Sequence, residues 1–249
     1  MITLSNLHKT YNKGKANQVN AVNGVDLSIK KGEFVVIVGA NGSGKTTLLN
    51  LVAGSVLPTS GTVSIDNEDV TKLAEYDRSK WIARVFQNPL SGTASDLSIL
   101  DNFRLAAIRT QPKGLSIGID NAFKKKVKDT IATLGMGLEG KIEQPMGTLS
   151  GGQRQALTLL MSVMDNCKVL LLDEPTAALD PRSAEIVMRT ANKLAHDFGL
   201  TTILITHNLK EAYNYGTRII QMGEGIILKD IERSTQPDLK QTDLYDWFS

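Results

Sequence analysis

A run of five apolar residues, Phe34–Val38, leads into Gly39-Ala40-Asn41-Gly42-Ser43-Gly44-Lys45-Thr46 and then into a helical pattern over Lys45–Ala53. That order of strand, glycine-rich loop and helix constrains the fold more than any other stretch of the chain. A short strand apolar on both faces belongs inside a parallel sheet. The loop fits G-x-x-x-x-G-K-[ST], whose backbone N–H groups and following helix N-terminus gather around the negative charge of a phosphate chain. Glycines let the backbone come close and adopt positive φ. Lys45 is placed to reach the β- and γ-phosphates and the Thr46 hydroxyl to ligate Mg²⁺, with Thr47 beside it. A chance glycine-rich turn would lack this flanking strand and helix.

Val169–Leu172 is a second apolar run of strand length, and it ends in Asp173 and Glu174. Ligands in such sheets bind beyond the carboxyl ends of the strands. Asp173 is therefore a candidate Mg²⁺ ligand, acting through water, and Glu174 a candidate to orient and polarise an attacking water. Two acids at a strand end can also merely cap the next helix; downstream of a phosphate loop the chemical reading is the stronger. Together these parts describe a nucleoside-triphosphatase of some kind.

The remaining pattern gives the architecture. Ile2–Leu7, a hairpin region around Tyr11–Gln18 and Val25–Ile29 form an N-terminal antiparallel layer, followed by strand patterns at Gly61–Ile65 and Ile82–Phe86. Amphipathic helices follow at Ile99–Ile108, Ala122–Leu134 and Gln153–Met164, and then strand and helix alternate again through Ser183–Phe198, Thr201–Thr206, a helix from about Leu209, and Arg218–Met222. Alternation of this kind means a mostly parallel sheet with crossover helices. We expect one α/β domain over 1–249, its core built from 1–88 and 165–249, with a helical subdomain inserted at 89–164. The tail beyond Ile231 is too short for a further regulatory domain.

Composition excludes several classes. A formal net charge of +2 is too small for a nucleic-acid partner. One cysteine, Cys167, rules out an internal disulfide and reads as a small buried thiol in a reducing compartment. No apolar run approaches the roughly 20 residues of a membrane span, and Met1–Leu7 alternates like a strand, unlike a signal peptide. Any membrane role must come through a partner chain.

Leu149-Ser150-Gly151-Gly152-Gln153 carries a family resemblance: it is the signature of ATP-binding cassette (ABC) ATPases, about twenty residues before Asp173. Physically it is a second anion site, a serine and glycines at a helix start with free N–H groups; Ser150 also suits a helix N-cap. With it, Gln87 resembles the Q-loop glutamine, which touches Mg²⁺ and relays nucleotide state to a transmembrane partner. His207 resembles the switch histidine that meets the γ-phosphate. Ala178-Leu179-Asp180 resembles the D-loop at the dimer interface, with alanine where the family often has serine. Tyr11 is similar to the aromatic that stacks on adenine; an ordinary hairpin tyrosine is the other reading.

The resemblance spans Ile2 to about Leu228 and implies ATP with Mg²⁺. It also implies a second copy (or a homologous subunit) completing a nucleotide-sandwich dimer through Ser150, Gly151, Gly152 and Gln153, and permease subunits that hold the chain at the cytoplasmic face of the membrane. The stretch Gln87–Ile99 resembles a subgroup of importer ATPases that work with binding proteins, some assigned to tryptophan or tyrosine uptake. The expectation is the ATPase of an amino-acid-type importer; an exporter ATPase and a soluble non-transport ABC ATPase are the alternatives. The run Lys124–Lys126 is either a solvated face or a contact to anionic lipid, and Trp247 with Phe248 either packs back on the core or meets a partner.

Overall fold

The computed structural model describes residues 1–109, 118–236 and 240–247. The first hairpin is longer than its apolar pattern suggests. β1 (Ile2–Tyr11) and β2 (Val19–Ile29) pair antiparallel from Ile2↔Ile29 to Tyr11↔Val19. The second strand thus begins six residues before the expected Val25. Asn12 and Gly14, at φ of 52° and 77°, turn the chain sharply enough for backbone pairing to start at once.

After β3 (Phe34–Val38) and α1 (Lys45–Ala53) come β4 (Ser60–Ile65), the two-residue β5 (Glu68–Asp69), α2 (Glu75–Arg78) and β6 (Ile82–Val85). Among the described residues the α-helices that follow are α3 (Ile99–Ala107), α4 (Asn121–Ala132) and α5 (Gly151–Ser162), all between β6 and the next strand. The chain then runs through β7 (Val169–Asp173), α6 (Pro181–Asp197), β8 (Thr201–Ile205), α7 (Leu209–Tyr215), β9 (Arg218–Gly223) and β10 (Ile226–Glu232). β10 is largely exposed, its one apolar run, Ile226–Leu228, is only three residues long, and it is held as a strand by antiparallel pairing of its backbone with β9.

Two sheets result. One is antiparallel with order β2-β1-β4-β5; the other has order β10-β9-β3-β8-β7-β6 and is parallel except at β10. This is the expected α/β fold with an N-terminal antiparallel layer. Every residue of β3 and β7 is buried, and alternate side chains serve opposite faces, as the strand period of two requires. Val36, Val38, Leu170 and Leu172 pack with α3, α5 and α6, while Val35, Ile37, Val169 and Leu171 pack with α1 and the antiparallel sheet. A strand covered on both faces has no polar alternation, which is why these segments read as continuous apolar runs.

The parallel order matters more than the layers. β3, β8, β7 and β6 are neighbours, with Ile37 level with Ile205 and Ile205 level with Asp173. Four loops from distant parts of the chain therefore leave the sheet at one edge.

Behind the phosphate loop, α1 is anchored by a charge. Arg78 is fully buried; its Nη1 donates to the carbonyls of Leu51 (2.7 Å) and Val52 (2.9 Å), its Nε to Leu73 and its Nη2 to Thr71. Leu51 and Val52 sit in the last turn of α1, where carbonyls lack helical partners and a cation is favoured by the helix dipole. Burial lowers the guanidinium pKa to about 10, with Asp69 opposing the shift. Arg78→Met should remove all four donors at once and cost roughly 3 kcal/mol. A urea titration monitored by circular dichroism checks this; an unfolding midpoint unchanged from wild type would refute the anchoring role.

Candidate nucleotide site

The phosphate loop is shaped for close approach. Gly44 caps α1 at φ 99°, and a Cβ there would stand 2.2 Å from the carbonyl oxygen of Ala21 on β2. Only glycine fits, on both counts. Lys45 is buried, and its ammonium donates to the carbonyls of Gly39 (2.8 Å) and Ala40 (2.9 Å). Burial lowers its pKa, against the pull of Glu174 and Asp173. The Ser43 hydroxyl is buried with no hydrogen-bond partner. Asn41, Gly42 and Thr46 are exposed and Thr47 is half-buried. A loop with a buried cation, an orphaned hydroxyl and open backbone suits an anionic ligand.

Around this loop the structure brings together Lys45, Thr46, Gln87, Asp173, Glu174 and His207. The Thr46 hydroxyl lies 3.5 Å from Asp173 Oδ1. One Glu174 oxygen is 2.7 Å from His207 Nε2, and the other accepts from Gln87 Nε2 at 3.4 Å. Glu174 has φ 47°, unusual for a non-glycine residue, while its N–H still bonds to Ile205 O and so continues the β7–β8 ladder. The left-handed turn at that point swings the carboxylate toward the β6 and β8 loops. Strain of this sort costs about 1–3 kcal/mol and persists where surrounding contacts enforce it.

Tyr11 stands at the tip end of the hairpin whose β2 strand meets Gly44 through Ala21, half-buried, with Lys9 Nζ 5.1 Å from its ring centre. The signature residues lie elsewhere. Ser150 caps α5, accepting from Gln153 N at 3.3 Å, while Gln153 Oε1 accepts from Ser150 N, a full capping box. A Cβ on Gly152 would sit 2.4 Å from the Ser183 side chain on α6, so glycine here permits close helix packing. The atoms nearest Gly151 belong to Leu179 and Pro89. Asp180 caps α6 by accepting from Arg182 and Ser183 N–H groups at 3.1 Å, and hydrogen bonding to Ser183 depresses its pKa.

Sequence reading missed Arg84. Its Nη2 is 3.1 Å from Asp173 Oδ2, its Nη1 donates to Ser55, and it lies over the Phe86 ring. Both partners of the pair are about nine-tenths buried. Arg84 occupies one carboxylate oxygen of Asp173 and leaves Oδ1 facing Thr46. An arginine in an otherwise apolar β6 was the available signal; its partner 89 residues away was not. Gln155, also overlooked, ties α5 to the Phe86 carbonyl at 2.8 Å.

Of the other residues singled out, Cys167 is half-buried and burial raises its thiol pKa. Lys125 and Lys126 are exposed, and Lys124 pairs with Glu143 at 3.1 Å, in keeping with a solvated face. Phe248 and the Trp247 side chain lie outside the described residues; Leu244 is buried in the core.

A family model described as ABC transporter matches residues 22–177. The chain belongs to the ABC transporter ATPases. A tyrosine transport ATP-binding protein of Clostridioides difficile (strain R20291) is 34% identical over 251 residues, covering 100% of this cassette and 98% of that protein. A macrolide export ATP-binding/permease protein of Campylobacter fetus subsp. fetus (strain 82-40) is 35% identical over 97% of the cassette and 36% of its own length. A solved dimeric cassette in a post-hydrolysis state, bound to ADP and Pi, superposes with a TM-score of 0.80 at 31% identity, covering 93% of this ABC ATPase and 98% of that chain. Among the described residues no helix is long and apolar enough to cross a membrane.

Proposed function

We propose that this ABC ATPase drives an importer of amino-acid-type solutes, pairing with a second copy and docking on permease subunits at the cytoplasmic face of the membrane, with a binding protein delivering the solute. The observation that carries the enzymatic part is the Glu174 carboxylate held between His207 Nε2 (2.7 Å) and Gln87 Nε2 (3.4 Å), next to an Asp173 that faces Thr46. In this reading Tyr11 stacks on adenine, and Gly39–Thr47 hold the phosphates through backbone N–H groups. Lys45 exchanges its carbonyl contacts for phosphate oxygens. Glu174 orients and polarises the attacking water, and His207 and Lys45 stabilise charge on the transferred group.

Thr46, Asp173 and Gln87 offer oxygen atoms alone, which suits Mg²⁺. When bound with the nucleotide, Mg²⁺ supplies neutralisation of phosphate charge. Dimerisation is supported by where the signature lies. Gly151 packs on Pro89 and Leu179 and Gly152 on Ser183, while the N–H groups of Ser150 and Gln153 are taken up in the capping box. The first-turn N–H groups of Gly151 and Gly152 and the Ser150 hydroxyl are what this helix start would offer to a nucleotide held by another copy, with Asp180 beside that interface. The dimeric cassette bound to ADP and Pi supports the same reading.

The importer assignment leans on the full-length similarity to a tyrosine transport ATP-binding protein. The second reading, an exporter ATPase, draws on the macrolide export relative, an ATP-binding/permease protein of which the cassette spans 36%. Reconstitution with its permease in proteoliposomes decides between them, with the ATPase and ATP sealed inside and radiolabelled tyrosine or methionine outside. Import predicts ATP-dependent accumulation inside when the binding protein is added. ATP-driven loss of preloaded solute, with no uptake, would establish export instead.

A further inference from the structure

Glu211, on α7, is a buried carboxylate with 7% exposure and, among the described residues, no cation in salt-bridge contact. A buried charge without a counter-ion is tolerated only when hydrogen bonds answer it. Here two do. Thr176 Oγ1 donates to Oε1 at 2.8 Å, and Thr206 Oγ1 donates to Oε2 at 2.6 Å. In both bonds the threonine hydroxyl donates and a carboxyl oxygen of Glu211 accepts. With its proton committed, the Thr206 hydroxyl presents its lone pairs to Asn208 N–H at 3.0 Å. Glu211 N–H in turn donates to Asn208 Oδ1 at 3.3 Å.

The two threonines are well placed. Thr176 is two residues beyond Glu174, across the buried Pro175. Thr206 and Asn208 flank His207 on either side. The two loops are already joined by the Glu174 N–H to Ile205 O bond at 3.0 Å. One backbone bond is a hinge; a second tie through Thr176 and Thr206 restricts the remaining freedom, with Glu174 two residues before Thr176 and His207 directly after Thr206.

We propose that Glu211 is a positioning residue for hydrolysis, strapping the loop after β7 to the loop after β8 so that His207 and Glu174 keep their 2.7 Å contact. The proposal rests on the reading of Glu174 and His207 as catalytic, and its test separates the two. Among the described residues the side-chain hydrogen-bond partners of Glu211 are Thr176 and Thr206, neither of them in the phosphate loop, so its loss acts on turnover and spares nucleotide capture.

The test uses the full chain with Glu211→Ala and Glu211→Gln, and with Thr176→Val as a milder break of one tie should Glu211→Ala fold poorly. Hydrogen exchange measured by NMR reads the strap directly, through the amides of Ala177, Leu179 and Asn208. Glu211→Ala should speed exchange in both loops together. It should also lower kcat about tenfold or more with the KM for ATP within about twofold. Glu211→Gln, which retains one acceptor and gains a donor, should recover part of the rate. In a His207→Ala background, Glu211→Ala should add less than about a twofold further loss, because the contact it protects is already gone. Unchanged exchange in either loop overturns the proposal whatever the rates do. So does a folded Glu211→Ala with wild-type kcat while Glu174→Gln and His207→Ala are impaired, or full multiplicative losses in the double variant. Normal turnover by Glu174→Gln itself would instead defeat the catalytic reading, leaving hydrogen exchange to judge the strap.

Discussion

Replacing Glu174 with Gln is expected to stop ATP turnover and leave ATP binding in place. Glutamine has the same length, and nothing in the left-handed backbone at that position, φ 47°, distinguishes the two side chains. What changes is the ability to take or polarise a proton of water. Loss of a positioned general base lowers rates by about 10²–10⁴-fold. The phosphate loop makes no contact through the Glu174 carboxylate, whose partners are His207 and Gln87, so affinity should stay within a few-fold of wild type. A site that binds ATP without cleaving it also holds the closed state. Gel filtration of Glu174→Gln with ATP should show a dimer that ADP does not support. Wild-type phosphate release by this variant would refute the assignment.

Lys45→Ala produces the second large effect, with the opposite signature: binding fails first. The ammonium is buried between the Gly39 and Ala40 carbonyls and is the cation of the loop. Truncating one partner of a desolvated, hydrogen-bonded charge pair costs about 2–5 kcal/mol, so ATP affinity should fall by about 10²-fold or more. The apo protein should behave differently. Burial holds the Lys45 pKa below its ordinary value. Between the folded and unfolded pKa values the unfolded chain therefore binds more protons, and stability there rises with pH. Keeping the ammonium charged is thus a cost to the empty fold, and the apo Tm of Lys45→Ala should not fall. Calorimetric titration with ATP beside a thermal melt without it separates the two effects. A variant that melts early and still binds ATP would contradict this account.

Most of the site could be read from the chain because phosphate chemistry demands short contiguous motifs. Gly39–Thr46, Leu149–Gln153 and the pair Asp173-Glu174 each keep their meaning within a few residues, since a loop and the helix start behind it are local structures. Helices α3, α4 and α5 were likewise legible from their apolar period, to within two residues at every end. β10, β5 and α2 were not. Their formation depends on what they pair with or pack against, and their own residues carry little pattern.

The sequence by itself determined that this chain has a phosphate loop, an acidic strand end and a signature helix, and hence the kind of chemistry, while the family resemblance of Leu149–Gln153 implied a second copy. Only the tertiary structure decided how those pieces meet. The order β3-β8-β7-β6 sets four loops on one edge, the positive φ of Glu174 turns it toward His207, Arg84 takes one oxygen of Asp173, and Glu211 ties Thr176 to Thr206. The reason is physical. Each of the first kind of feature is a matter of local backbone geometry, whereas Arg84 and Asp173 are 89 positions apart and Thr176 and Glu211 are 35 apart. Contacts at such separations exist only once the parallel strands are in register, and no local pattern of residues encodes which strands will be neighbours.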